Sequence, residues 1–73
     1  MTTANYDLAM TRAEKLRQAF IDNGIDVSEI QKFYNDDGDV DMIGFETTNL
    51  FDCEGNGLYF SYSTDTGNLN SNA

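Results

Sequence analysis

Apolar residues recur at spacings of three and four along the first twenty residues of the chain, and this pattern stops at Asn23-Gly24. The spacing gives an α-helix one apolar face, so we predict a helix over residues 5–23. Asn5 or Thr3 is the expected N-cap, and Gly24 supplies the left-handed conformation that ends a helix. The expected buried face consists of Tyr6, Ala9, Met10, Ala13, Leu16, Ala19 and Phe20.

Beyond Gly24 the apolar spacing changes to alternation, which is typical of β-strands. Three segments are predicted as strands, at residues 27–34, 40–48 and 58–63, with turn-forming residues at 35–39 and 52–57 between them. The pattern predicts an α+β domain in which one N-terminal helix packs on a small three-stranded antiparallel meander, in the order αβββ. In the second strand we expect one face to carry Ile43, Phe45 and Thr47 and the other to carry Val40, Met42 and Gly44.

Residues 27–34 have an alternative interpretation. Ser28-Glu29-Ile30-Gln31 resembles a partial capping box, which would begin a short second helix at Asp26 or Ser28. The strand is preferred because two strands with one helix rarely form a stable two-layer core.

The chain of 73 residues has room for one domain, predicted over residues 1–64. Residues 65–73 are rich in Asn, Ser, Thr and Gly and are expected to form a flexible C-terminal tail. Cys53 is the single cysteine and there is no histidine, so an internal disulfide and a typical zinc site are excluded. A small core without such reinforcement gains from additional burial, which makes a homodimer an open possibility.

The negative charge is concentrated in one part of the sequence. The chain has 13 acidic and 4 basic residues, a net charge of −9. Residues 1–21 contain two acids and three bases, whereas residues 22–54 contain ten acids and only Lys32. The acidity therefore belongs to the predicted sheet and its loops, and the helix is close to neutral.

This charge limits the expected partners and location. A net charge of −9 repels nucleic-acid phosphates and anionic lipid, so direct binding to nucleic acid or membrane is not expected. No apolar run approaches the ~20 residues that cross a bilayer. The first five residues lack the basic and apolar regions of a signal peptide, and a single thiol suits a reducing compartment. We expect a cytoplasmic protein.

Catalysis and metal binding have little basis in the sequence. Histidine-dependent nucleophiles are excluded, and the carboxylates lie in predicted turns where nothing separates their pKa values. A calcium loop with its glycine at Gly38 would begin at Phe33 and end at Gly44, and neither can supply the ligand needed there. We expect no enzyme activity, no cofactor and no metal site. An acidic metal-binding regulator remains a minor alternative.

The leading hypothesis is a small acidic inhibitor that binds a basic nucleic-acid-binding protein or effector complex and mimics nucleic acid, as an anti-CRISPR or anti-restriction product of a phage or mobile element would. Charge complementarity of this kind speeds association. Two alternatives remain: an immunity protein or antitoxin that neutralises a nuclease, and a self-assembling or adaptor module whose acids serve only solubility. Phe33, Tyr34, Tyr59 and Tyr62 are candidate interface anchors, with at least two of the four expected in the core. The predicted contact residues are Asp26, Glu29, Asp36, Asp37, Asp39, Asp41 and Glu46, with Tyr34 and Tyr59.

Overall fold

A computed structural model of the chain describes residues 5–72. One helix, α1 (Tyr6–Asp22), is followed by four strands, β1 (Gln31–Tyr34), β2 (Val40–Phe51), β3 (Gly57–Ser63) and β4 (Leu69–Ser71). The strands form one antiparallel sheet in the order β1-β2-β3-β4, and α1 packs across β2 and β3. The predicted α+β class is confirmed, although the sheet has four strands rather than three.

The end of α1 follows the sequence prediction. Gly24 adopts a φ of 77°, and its N–H donates to the carbonyl of Ile21. The N–H of Ile25 reaches back to the carbonyl of Phe20 at 3.0 Å, which completes a Schellman motif. Two orphan carbonyls of the last turn are satisfied in this way, and the chain is redirected towards the sheet.

The start of α1 differs from the prediction. Asn5 occupies the N-cap position, but its side chain makes no capping hydrogen bond. Its side-chain amide donates instead to the carbonyl of Asp65. The backbone N–H of Asn5 also donates to the carbonyl of Thr64. The helix start is therefore fixed by the segment after β3. Thr3, the other N-cap that the sequence predicts, lies outside the described residues.

The core lies between α1 and the two central strands. Ala9, Ala13 and Ile43 are fully buried, because the two small alanines let the helix backbone come close to β2. Next to them the Phe20 ring packs edge-on against two rings of the sheet, with centroids 5.0 and 5.5 Å away. Those rings are Phe45 and Phe60. The residues partly buried around this core are Tyr6, Met10, Ile30, Val40 and Tyr62.

A bulge changes the predicted faces of β2. The register between β1 and β2 shifts beside Tyr34, so Asp41 is an extra residue in β2. Because of this bulge, Val40 and Ile43 both pack towards the helix. The expectation that Val40 lies on the face opposite Ile43 was wrong, since strict alternation assumes an uninterrupted strand.

Residues 27–34 are extended, and the alternative helix is wrong. β1 covers the second half of the segment, and Val27 forms an isolated antiparallel bridge with Thr47. Between them the N–H of Ser28 donates to the carbonyl of Glu46. The backbone groups of this segment thus pair with β2 instead of with a helical turn.

The fourth strand lies in the segment that composition predicts as a tail. In β4, Asn70 pairs with Ser61 of β3. The side chain of Asn72 accepts a hydrogen bond from the N–H of Tyr59 and donates to the carbonyl of Gly57. Polar residues without an apolar pattern therefore form an ordered edge of the sheet, and their role depends on partners in β3.

Candidate partner-binding site

The sheet has one face against α1 and one face that no described element covers. On the uncovered face, side chains of β1, β2 and β3 enclose a depression of about 220 Å³. We call this the open-face depression. Its lining residues are Phe33, Met42, Glu46, Tyr59 and Ser61.

Strand register brings these residues together. Phe33 pairs with Met42 across β1 and β2, and Glu46 pairs with Tyr59 across β2 and β3. Since side chains directly opposite each other on a sheet are within contact distance, the two pairs form two sides of the depression. The site is therefore assembled from three strands and does not exist in any one of them.

Gly44 lies between Met42 and Glu46 in β2 and contributes no side chain to this face of the sheet. It pairs with Ser61, and a Cβ at Gly44 would meet the carbonyl oxygen of Phe60 and lie 2.6 Å from the Cα of Ser61. Only glycine allows this close approach of β2 and β3. Ser61 is small, 5% exposed, and donates its hydroxyl to the carbonyl of Asn70.

The walls of the depression are aromatic and its edge is acidic. Phe33 is 42% exposed and Tyr59 is 38% exposed, which is high for residues in paired strands. Glu46 is exposed beside them, and its backbone N–H donates a hydrogen bond to the hydroxyl of Ser28. Aromatic rings next to a carboxylate attract a cationic side chain through its charge and through cation–π contact. The depression is chemically suited to a lysine or arginine from a partner.

A second acidic feature is the turn between β1 and β2, Tyr34 to Asp39, which we call the acidic hairpin. The side-chain oxygen of Asn35 accepts hydrogen bonds from the N–H groups of Asp37 and Asp39, at 2.9 and 3.1 Å. The backbone of the turn is thus held by Asn35 and by Gly38, whose φ is 84°. Tyr34 is 65% exposed at its base.

The nine predicted contact residues fall into two groups. Tyr34, Asp36, Asp37, Asp39 and Asp41 lie at the acidic hairpin and the adjoining bulge. Glu46 and Tyr59 lie at the open-face depression, while Asp26 and Glu29 lie in the exposed segment that flanks it through Ser28. The run from Asp39 to Glu46 along β2 spans roughly 20 Å. The predicted contact residues therefore lie in two separate acidic regions instead of a single patch.

The one base of residues 22–54 points away from the open face. Lys32 alternates with Phe33 in β1, and its Nζ lies 5.8 Å from the centre of the Tyr6 ring of α1. A hydrogen bond to Tyr6 is the largest of the effects that raise the pKa of Lys32. Lys32 therefore lies on the helix side of β1, away from Glu46 and the open-face depression.

The sequence prediction missed part of the depression. The sequence analysis gives Phe33 only as a candidate interface anchor, and its predicted contact residues do not include Met42 or Ser61. The alternating pattern shows which residues share a face of each strand, but it does not show which of the two faces α1 covers. Of the four aromatic residues weighed, Tyr62 packs at the core and the other three are exposed, so the expectation of at least two core residues was wrong.

Within residues 5–72, no group of three or more His, Cys, Asp or Glu side chains is arranged to hold a metal ion. In that range no helix has the length and apolar character to span a membrane. Cys53 is an exposed free thiol in the turn between β2 and β3.

Comparison of the chain with protein-family models, with curated protein sequences and with solved structures finds no match. The function is therefore inferred from the residues and their geometry.

Proposed function

We propose that this chain is a small, non-catalytic inhibitor that binds a basic nucleic-acid-handling protein on the surface that protein uses for nucleic acid. The observation that carries the proposal is the open-face depression, where two exposed aromatic rings adjoin the carboxylate of Glu46. The depression belongs to a segment, residues 22–54, with ten acids and one base.

The proposed contact has two parts. A lysine or arginine of the target enters the depression between Phe33 and Tyr59 and pairs with Glu46. The acidic hairpin, roughly 20 Å away along β2, engages a second basic region of the same target. Carboxylates then occupy positions that phosphates would take, and the negative field of the chain accelerates the encounter.

This contact is common to two biological settings. An anti-CRISPR or anti-restriction product of a phage or mobile element would block an effector, and an immunity protein would block a nuclease toxin. Both settings place the chain in the cytoplasm, which suits an exposed, unpaired thiol such as that of Cys53. Both also need no catalytic residue in the chain.

The test is affinity capture from cells that produce the chain, with the bound protein identified by mass spectrometry and then purified. We expect a basic nucleic-acid-binding protein whose binding is lost in 1 M NaCl and is competed by double-stranded DNA. Glu46→Gln and Tyr59→Ala each weaken the purified complex at least tenfold. Asp65→Asn is the matched control, because it also removes one exposed carboxylate but lies in the turn between β3 and β4.

Two results would contradict this function. One is a complex that survives 1 M NaCl unchanged, since exposed charges are screened within about 3 Å at that ionic strength. The other is a captured protein with no affinity for nucleic acid and no sensitivity to Glu46→Gln. The second result would favour the adaptor alternative, in which the acids serve solubility.

A further inference from the structure

A second cavity lies on the helix side of the sheet, between α1 and β4. It is an open groove of about 660 Å³, on the opposite edge of the sheet from β1. We call it the helix–β4 groove. The residues that define it are Arg12, Lys15, Leu16, Ala19, Tyr62 and Leu69.

The groove combines an apolar base with a cationic rim. Two of the four basic residues of the chain line it, and no carboxylate does. Arg12 is held in place by a hydrogen bond of 2.7 Å to the carbonyl of Gly67. The side-chain ammonium of Lys15 forms no hydrogen bond or ion pair with any of residues 5–72, and Leu69 is 51% exposed. The groove is therefore suited to a segment that is both acidic and apolar.

The acidic hairpin has this complementary chemistry. Tyr34 is 65% exposed, the highest value among the large apolar and aromatic side chains described. Beside it the carboxylates of Asp36 and Asp37 accept no hydrogen bond from the described residues. We propose that the helix–β4 groove binds the acidic hairpin of a second copy of this chain, with Tyr34 on the apolar base and the two aspartates at Arg12 and Lys15.

The contact must form between copies. β1 and β4 are the two edges of the sheet, separated by three strand spacings or roughly 14 Å, so a hairpin cannot reach the groove of its own chain. The hairpin and the groove are different surfaces, and in a head-to-tail pair one groove and one hairpin remain unused. Because each copy carries a charge of −9, we expect weak binding, with a Kd of about 1 mM. The inference does not depend on the target proposed above.

Sedimentation equilibrium of the wild-type chain from 10 µM to about 2 mM, in 0.15 M NaCl, tests the association at concentrations that bracket this Kd. We expect the mean mass to rise with concentration. Lys15→Gln abolishes the rise, whereas the control Asn49→Asp preserves it. Both variants have a net charge of −10, and Asn49 is exposed in β2 outside the groove. A wild-type chain that stays monomeric, or equal effects of the two variants, would overturn the proposal.

A mixing experiment tests the head-to-tail geometry. The double variant Asp36→Asn, Asp37→Asn keeps its groove but loses the acidic hairpin, and Lys15→Gln keeps the hairpin but loses the groove. Each alone is expected to be monomeric, and together they form a one-to-one dimer that does not extend. In the double variant, NMR shift changes appear at Leu16 and Leu69 and not at Tyr34. A mixture that stays monomeric contradicts this geometry.

A different acidic partner gives a different result. In this case the wild-type chain remains monomeric at all concentrations. Added poly-glutamate, which serves as a probe for an acidic protein, shifts the NMR signals of Leu16 and Leu69. That outcome would assign the groove to another acidic protein and overturn self-association.

Discussion

The side-chain amide of Asn72 donates a hydrogen bond of 3.0 Å to the carboxylate of Asp52, which joins the segment after β4 to the turn between β2 and β3. The same carboxylate accepts backbone hydrogen bonds from Asn56 and Glu54. The Asn56 N–H has the largest effect, and together these donors lower the pKa of Asp52. A single acid thus organises the turn and holds the chain beyond β4.

The lowered pKa of Asp52 predicts a pH dependence of stability. The ordinary pKa of an aspartate, about 3.9, applies to the unfolded chain. A carboxylate whose pKa is lower in the folded state stabilises the fold at pH values above this unfolded-state pKa. The contribution is lost as the pH falls through the lower folded pKa. We expect the stability advantage of wild type over Asp52→Asn to be full at pH 7 and to shrink below pH ~4. Urea unfolding across this range checks it, and an advantage that is constant with pH contradicts it.

Removal of β4 tests whether residues after the third strand belong to the folded domain. Deletion of residues 69–73 removes three cross-strand pairs with β3 and the hydrogen bonds of Asn72. At about 1 kcal/mol net for each hydrogen bond, we expect a loss of about 2–4 kcal/mol in unfolding free energy. Amide exchange at Phe60 and Tyr62 accelerates in parallel. A truncated chain with an unchanged thermal midpoint would restore the flexible-tail prediction.

Gly44→Ala is expected to destabilise the sheet by about 1–3 kcal/mol, because the added methyl group overpacks β2 against β3. The backbone of Phe60 and Ser61 must move to accept it. Gly38→Asn is the control, since its left-handed φ of 84° is tolerated by asparagine and no atom lies within 4 Å of a Cβ there. Chemical denaturation measures both. Equal stability of Gly44→Ala and wild type would show that the strands separate easily.

Thr64 is fully buried and its hydroxyl binds the carbonyls of Val40 and Asp41, at 2.7 and 3.0 Å. These bonds fix the bulge that turns Val40 into the core. Thr64→Val keeps the shape but removes the donor, and we expect a loss of about 1–3 kcal/mol. Thr64→Ser retains the hydroxyl and loses less. Thr48→Val, at an exposed strand position, is the control for the substitution itself.

Neutralising the acidic hairpin is expected to stabilise the chain. Asp36→Asn with Asp37→Asn lowers the net negative charge from 9 to 7 and removes local repulsion from neighbouring acids. The thermal midpoint rises in 20 mM salt and the gain disappears in 1 M NaCl, where screening is nearly complete. A drop in the midpoint at low salt would show that these carboxylates hold the turn, a role that the structure gives to Asn35.

The parts of the fold that local sequence specifies were predicted well. The helix and its Gly24 stop depend on periodicity and on one glycine, so both were visible without tertiary information. The predicted extended segments likewise correspond to β1, β2 and β3. β4 was not visible, because Leu69–Ser71 has no alternating apolar pattern and is ordered by partners in β3 and by Asn72.

The candidate site was only partly predictable for a related reason. The acids and the two tyrosines were identified from composition and charge, but strand pairing decided which of them lie together. Glu46 and Tyr59 became cross-strand neighbours, whereas Asp36 and Asp37 lie at a separate turn. Phe33 and Met42 joined the depression through pairing that a one-dimensional pattern does not contain.

The sequence by itself determined one helix, an extended remainder and a charge confined to residues 22–54, since periodicity and ionisation are properties of the residues. Tertiary structure decided which sheet face α1 covers, and therefore which aromatic side chains remain exposed. It also placed an acidic hairpin at one edge and a cationic groove at the other. The physical reason is that burial, strand register and the bulge at Asp41 depend on contacts between residues distant in sequence.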